Sequence, residues 1–522
     1  MAARVLITEP LAEAGIAQLR DAGHEVDERI GLSGDELLDA VKGAQALIVR
    51  SATKVTAEVL DAGTDLVIVG RAGAGVDNVD VVAATKRGVI VANAPGSNAV
   101  STAEHTMALL LSLARNVPQA SAALKSGRWE KLKWAGVELQ GKTIGLVGMG
   151  RIGTLVAQRA YAFGMRIVAW DPWVTVDRAR QLGVELAELD ELIAQADFLS
   201  VHLAMVKDYV GIIGDELLAK AKPGLRVVNA ARGGLIDNEA LERAIKSGIV
   251  GGAALDVFDV EPCTDSPLFA YDQVIATPHL SASTPEAQDK AGVMIAEQVR
   301  LGLAGEFVPF AVNVEATEAP EQVRPFLALA ERLAALFTRL AGGLPSELVV
   351  GYEGELASHD TRLLKLAVLK GVLANAGDGP VSYVNAPQLA EDRGVVVRET
   401  TTSTSDEYVS LLSISGGERS IAGTLTGRRG EPRIVMLDGH SIEIPLADHL
   451  LVVRNDDRVG MMALVTATVA AAGVNIADMR LGRTPGGTAV AVITSDEPIP
   501  LAVRDELVGQ PGILDVRIVS AD

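Results

Sequence analysis

The chain has 522 residues, with 47 Lys and Arg against 67 Asp and Glu, a formal net charge of −20 and a pI near 4.9. That length is too great for one core and calls for several domains, while the negative charge excludes polyanionic nucleic acid and acidic membrane surfaces as natural partners. A single cysteine, Cys263, excludes an internal disulfide framework, and the absence of an apolar signal region in MAARVLITEP leads to the expectation of a cytoplasmic protein.

In chain order, residues 1–98 alternate strand and helix patterns, with strands at RVLITE, HEVDE, ALIVRS, LVIVG and VIVANAP, and read as the first part of a small α/β domain. VSTAEHTMALLLSLARN at 100–116 is helical in pattern and carries the chain into a second α/β domain spanning 99–284. There, six strands are expected at TIGLVG, RIVAWD, FLSVHL, LRVVNAA, GGAALDVF and QVIATPH, which make a doubly wound parallel sheet. His202, Arg232, Asp256, Glu261 and His279 fall at or just past the carboxyl ends of these strands, where ligands of such sheets bind. A helical stretch within 285–313 returns the chain towards the first domain, and VNVEATEAP at 312–320 reads as a linker. Residues 314–448 mix helix and strand patterns and are expected to form a separate α+β regulatory or oligomerisation domain. The last segment, 449–522, has the strand, helix, strand, strand, helix, strand order of a ferredoxin-like module.

GMGRIG at 148–153 follows the apolar run TIGLV and opens an amphipathic stretch, with Asp171 ending the next strand. This is a dinucleotide fingerprint in its βαβ setting. Gly148 permits the tight turn, Gly150 lets a pyrophosphate approach the backbone, and Gly153 lets the helix pack on its strand. The helix start faces the phosphates. Asp171 accepts from ribose hydroxyls and repels a 2′-phosphate, so NAD is expected over NADP.

Together with AARGGLID (230–237), ALDVFDVEP (254–262) and TPHLSAST (277–284), the fingerprint resembles the D-isomer-specific 2-hydroxyacid dehydrogenases over roughly the first 310 residues. The tail resembles that of the long family members ending in an ACT domain. The resemblance implies NAD-dependent oxidation of 3-phosphoglycerate at the start of serine synthesis. It assigns Arg232 to the substrate carboxylate, His279 to proton transfer and Glu261 to orienting the imidazole and favouring its protonated form. For the cofactor it adds Arg151, Ile152, Ala230 and Arg232, with Asp256 at the nicotinamide carboxamide. Arg50, Lys54, Ala74, Gly75 and Asn98 become substrate contacts, and Lys131 reaches a neighbouring subunit's cleft in a homodimer or homotetramer. In the ACT-like module, Asn455, Asp457 and Asn475 match positions that bind an amino-acid effector, implying feedback by L-serine. Departures from the family pattern are Ala204 and Val206 after His202, Ser281 for glycine, and Val459 for the proline before Gly460. Two other readings stay open: a glyoxylate, hydroxypyruvate or D-lactate dehydrogenase, and a nucleotide-sensing protein resembling the C-terminal-binding corepressors.

Overall fold

The computed structural model describes residues 2–314, 320–374, 381–483 and 487–520. Residues 315–319 of the expected linker lie outside these. Strands β1 (Arg4–Ile7), β2 (Glu25–Glu28), β3 (Ala46–Val49), β4 (Ile68–Arg71) and β5 (Ile90–Ala92) form a parallel sheet in the order β2-β1-β3-β4-β5. The inner strands β1, β3 and β4 are almost wholly apolar and buried because helices cover both faces.

The nucleotide-type sheet contains β6 (Thr143–Val147), β7 (Arg166–Trp170), β8 (Glu185–Leu186), β9 (Phe198–Val201), β10 (Leu225–Asn229), β11 (Val250–Leu255) and β12 (Val274–Ala276), in the order β12-β11-β10-β9-β6-β7-β8. It has seven strands rather than the expected six. The addition, β8, is a two-residue edge pairing Val168 with Glu185 and Ala169 with Leu186, too short to carry a periodic signal. Strand order reverses between β6 and β9, which opens a crevice at their carboxyl ends.

The helix Ala99–Arg115 links the two sheets and buries Ala103, Met107, Leu110 and Leu113 against β10, β11 and the helix Arg151–Ala162. The helix Pro285–Leu303, capped by Thr284, returns to the first domain and packs on the helix Glu13–Asp21. Gly15 and Gly292 make that approach possible: a Cβ at Gly15 would strike the Gly292 carbonyl, and one at Gly292 would lie 2.9 Å from Ala12.

Beyond it lies a six-stranded, mostly antiparallel sheet drawn from residues 347–445, covered by the helices Phe326–Ala341 and Arg362–Leu373. This part is less separate than the sequence suggested. Its apolar interior, including Phe326, Leu333, Phe337 and Tyr352, is continuous with that of the first sheet through Ile295, Val299, Val308 and Ala311. Ser382 Oγ donates to the Gly88 carbonyl at 2.9 Å, and Phe307 meets Tyr383 edge to face at 6.3 Å. The last module is a four-stranded antiparallel sheet in the order Asp478–Arg483, Thr488–Ser495, His449–Asp456, Ile513–Ser520, with two helices. No helix among the described residues is long and apolar enough to cross a membrane.

Candidate active site

The glycine turn after β6 has the shape that a dinucleotide requires. Gly148 has φ +102°, a left-handed conformation, and a Cβ there would lie 2.9 Å from the His202 carbonyl. Gly153 is pressed against the Gly148 carbonyl so closely that no Cβ fits between them. Around Gly150, by contrast, an added Cβ would meet no protein atom within 4 Å. The turn is therefore closed towards the sheet and open at the helix Arg151–Ala162, where free backbone N–H groups favour an anion. Asp171 fixes this turn from β7: Oδ2 accepts from Met149 N at 2.7 Å, and Oδ1 from Trp173 N at 2.8 Å.

Arg151 opens the helix after the glycine turn, and its guanidinium leans on Gly96, in the loop leading to Asn98. It thereby bridges the two α/β domains and lines a cavity of about 1290 Å³ with Glu297, Glu306 and Arg324. Ile152 stays half-buried against the sheet, and Ala230 is buried just past β10. His202 turns inward to Ser200 Oγ at 3.0 Å, and burial pushes its imidazole down to about 4, so it is neutral.

Arg232 follows β10 in a loop shaped by Asn229, whose Nδ2 donates to the Arg232 carbonyl at 2.8 Å and whose Oδ1 accepts from Ala231 N at 3.0 Å. Its side chain crosses to the first domain, where Nε pairs with Asp77 at 3.1 Å and the guanidinium lies directly on Gly75. Ala74 is held beside it by Asn93 Nδ2, which donates to its carbonyl at 2.6 Å. The next residue, Gly233, sits against the carbonyl of Phe258, and Phe258 N donates to Glu261 Oε1 at 3.0 Å. The other oxygen, Glu261 Oε2, is 2.7 Å from His279 Nδ1. Arg232, Glu261 and His279 thus stand past the ends of the neighbouring strands β10, β11 and β12. Because a carboxylate only accepts, Nδ1 donates in this pair, and in the neutral imidazole Nε2 is then the acceptor.

Asp256 directly follows β11. It is fully buried, and its oxygens already accept from Thr277 Oγ1 at 2.6 Å, Leu280 N at 2.8 Å, Ser281 N at 3.0 Å and His105 Nε2 at 3.2 Å. Oδ1 takes three of these donors and Oδ2 one. Burial raises its pKa, but the donors from His105, Thr277 and Leu280 more than offset this and hold it below the usual carboxylate range. The loop containing Ser281 is built on these backbone donors, and Ser281 itself is buried.

The loop containing Arg50 and Lys54 is organised by two residues that the sequence did not single out. Glu9 accepts from Arg50 N at 2.8 Å, Thr53 N at 2.9 Å and Ala52 N at 3.1 Å, and Asn78 Nδ2 donates to the carbonyls of Arg50 and Thr53. Burial raises the Glu9 carboxyl, yet the backbone donors from Thr53, Ala52 and Arg50 bring it below its ordinary value.

A third missed residue is Arg71, at the end of β4, whose buried Nε has no hydrogen-bond partner. Burial and then the Arg232 charge lower its pKa to about 10, against opposing pulls from Asp77 and Glu9. Arg50, Arg71 and Arg232 form a concentration of positive charge suited to a small anion with more than one negative group. The signal for Arg71 lay in GRAGAGVDN, where small residues leave room for a guanidinium: it packs directly on Gly73.

Asn98 caps the linking helix through its carbonyl, which accepts from Thr102 N at 2.9 Å. Lys131 lies exposed in an arm with Trp129 and Leu132, and no hydrogen bond or ion pair joins it to the cleft among the described residues. Far from the cleft, Asn455 is 2% exposed and its Oδ1 has no partner, Asp457 pairs with Arg483 at 2.6 Å, and Asn475 is exposed.

Comparison with known proteins gives the same direction. Residues 107–281 match the model of the D-isomer specific 2-hydroxyacid dehydrogenase NAD binding domain, and residues 322–438 that of the D-3-phosphoglycerate dehydrogenase intervening domain. The chain is 46% identical to D-3-phosphoglycerate dehydrogenase of Mycobacterium leprae over 99% of both chains, and 40% identical to that of Archaeoglobus fulgidus, again over 99% of both. The NAD+-bound 3-phosphoglycerate dehydrogenase of Entamoeba histolytica superposes with a TM-score of 0.52 at 28% identity, over 60% of this chain and 99% of that one. The glycine turn open at its helix, the paired His279 and Glu261, and likeness along the whole length place this chain in the D-3-phosphoglycerate dehydrogenase family of NAD-dependent oxidoreductases.

Proposed function

We propose that the chain oxidises 3-phospho-D-glycerate to 3-phosphohydroxypyruvate, the first committed step towards L-serine. The observation that carries this reading is the pairing of His279 with Glu261 at the strand ends beside Arg232, facing Arg50 and Arg71 of the first domain. NAD, bound at the glycine turn, supplies a hydride acceptor. The substrate carboxylate takes the Arg232 fork, which exchanges Asp77 for it, and the phosphate goes to the Arg50, Lys54 and Arg71 end. His279 Nε2 takes the hydroxyl proton as the C2 hydride leaves, which forms the C=O bond and leaves an imidazolium stabilised by Glu261. Initial rates of NADH formation with 3-phosphoglycerate, glycerate and D-lactate test the assignment. Strong preference for the phosphorylated acid is expected, and equal or better rates with the others contradict it.

Two further parts of the reading concern assembly and control. Trp129, 82% exposed, and Leu132, 91% exposed, favour burial of the arm against a second copy, which carries Lys131 to that copy's cleft. The orphaned Asn455 Oδ1 favours the last module as an effector site, since an acceptor suits the ammonium of L-serine. Serine titration is expected to lower the rate, and a titration without effect contradicts that role.

A further inference from the structure

We propose that His105, on the helix linking the two α/β domains, is a positioning residue for His279. The inference rests on the reading of His279 as the proton acceptor. His279 has φ +52°, a left-handed backbone that a non-glycine residue adopts only against strain. Such a turn persists only where its surroundings over-determine it. Here the surroundings converge on Asp256. The His279 N–H donates to the Asp256 carbonyl at 2.9 Å, while the side chain of Asp256 accepts from Leu280 N and Ser281 N, on the far side of the histidine, and from Thr277 Oγ1 before it. The general base is strapped to one buried carboxylate from both directions.

That carboxylate is fully buried, so each donor it keeps offsets a desolvation cost. Three of the donors to its side chain come from the segment 277–281 that it organises. The fourth, His105 Nε2, comes from another element, 3.2 Å from Oδ1 and 3.3 Å from Thr277 Oγ1. It fixes the carboxylate against the linking helix, where movement between the domains would be felt. A carboxylate freed on this side can rotate, and a displacement of the imidazole by a fraction of an ångström is enough to slow proton transfer. Glu261 sets the tilt of the ring through Nδ1, and His105 sets its height through the backbone.

The test uses the full chain with H105Q, whose amide N–H reaches Asp256, and H105N, whose amide falls short. H105N is expected to lower kcat by about tenfold, the worth of one hydrogen bond to a charged group, with KM for NAD changed by no more than about twofold. It is also expected to move the acid limb of the kcat/KM profile and to shift the His279 resonance in NMR spectra of ¹³C-histidine-labelled protein without cofactor. H105Q is expected to restore all three. Wild-type turnover and an unmoved resonance in H105N overturn the proposal, as does equal impairment of both variants with equal loss of thermal stability. H279Q separates the two readings: near-normal turnover there removes the base assignment itself, whereas an inactive H279Q beside a normal H105N removes only the role of His105.

Discussion

At the scale of single residues, the cleft is built by groups that limit one another's freedom. Gly75 is the clearest case, because its missing Cβ is the space in which the Arg232 guanidinium lies. Gly75→Ala is therefore expected to displace the far end of Arg232, raising KM for the substrate by about tenfold while leaving the melting temperature nearly unchanged, since a flexible side chain yields at little cost to the fold. Unaltered KM in steady-state assays contradicts this.

His202 offers a second test at this scale. Its folded pKa of about 4 lies below the ordinary 6.5, so the unfolded chain binds a proton that the native one refuses. Stability is then undiminished above about pH 6.5 and falls as pH drops towards about 4. Urea unfolding at about pH 7.5 and about pH 5 should show a smaller loss in His202→Asn than in the wild type; equal losses contradict the neutral, partly buried imidazole.

At the scale of elements, the strands and the fingerprint were legible because period and glycine spacing are local properties. TIGLV followed by GMGRIG can form only a few structures. Gly153→Ala tests the close packing of helix on turn: a Cβ there meets the Gly148 carbonyl, which has no freedom to withdraw, so a loss of about 1–3 kcal/mol and weaker NAD binding are expected. Calorimetry showing wild-type stability and affinity contradicts it.

What sequence did not reveal has a common cause. Arg71, Glu9 and Asn78 act through contacts between segments far apart in the chain, and His105 sits in a helix whose pattern advertises only its apolar face. Asp256 was legible as a site residue but not as a buried anchor, because a motif carries residue type and not the number of donors around it.

At the scale of the molecule, periodicity shows that a helix has an apolar face but not which neighbour covers it. The helix Phe326–Ala341 joins the same continuous core as Val299 and Val308 of the first domain, so catalytic and tail parts share an interior. A chain ending at Val314 is expected to expose that interior, lowering the melting temperature or aggregating, and light scattering with a melting curve checks it. A monodisperse fragment with full-length stability contradicts the shared core.

The most direct test of the whole account is single-turnover reduction of NAD by 3-phosphoglycerate in the wild type and in His279→Gln. A fall of about 10²–10⁴-fold in the rate of NADH appearance, with substrate still bound, is the predicted result. Near-normal turnover in the variant contradicts the assignment of His279, and with it the chemistry derived from the cleft.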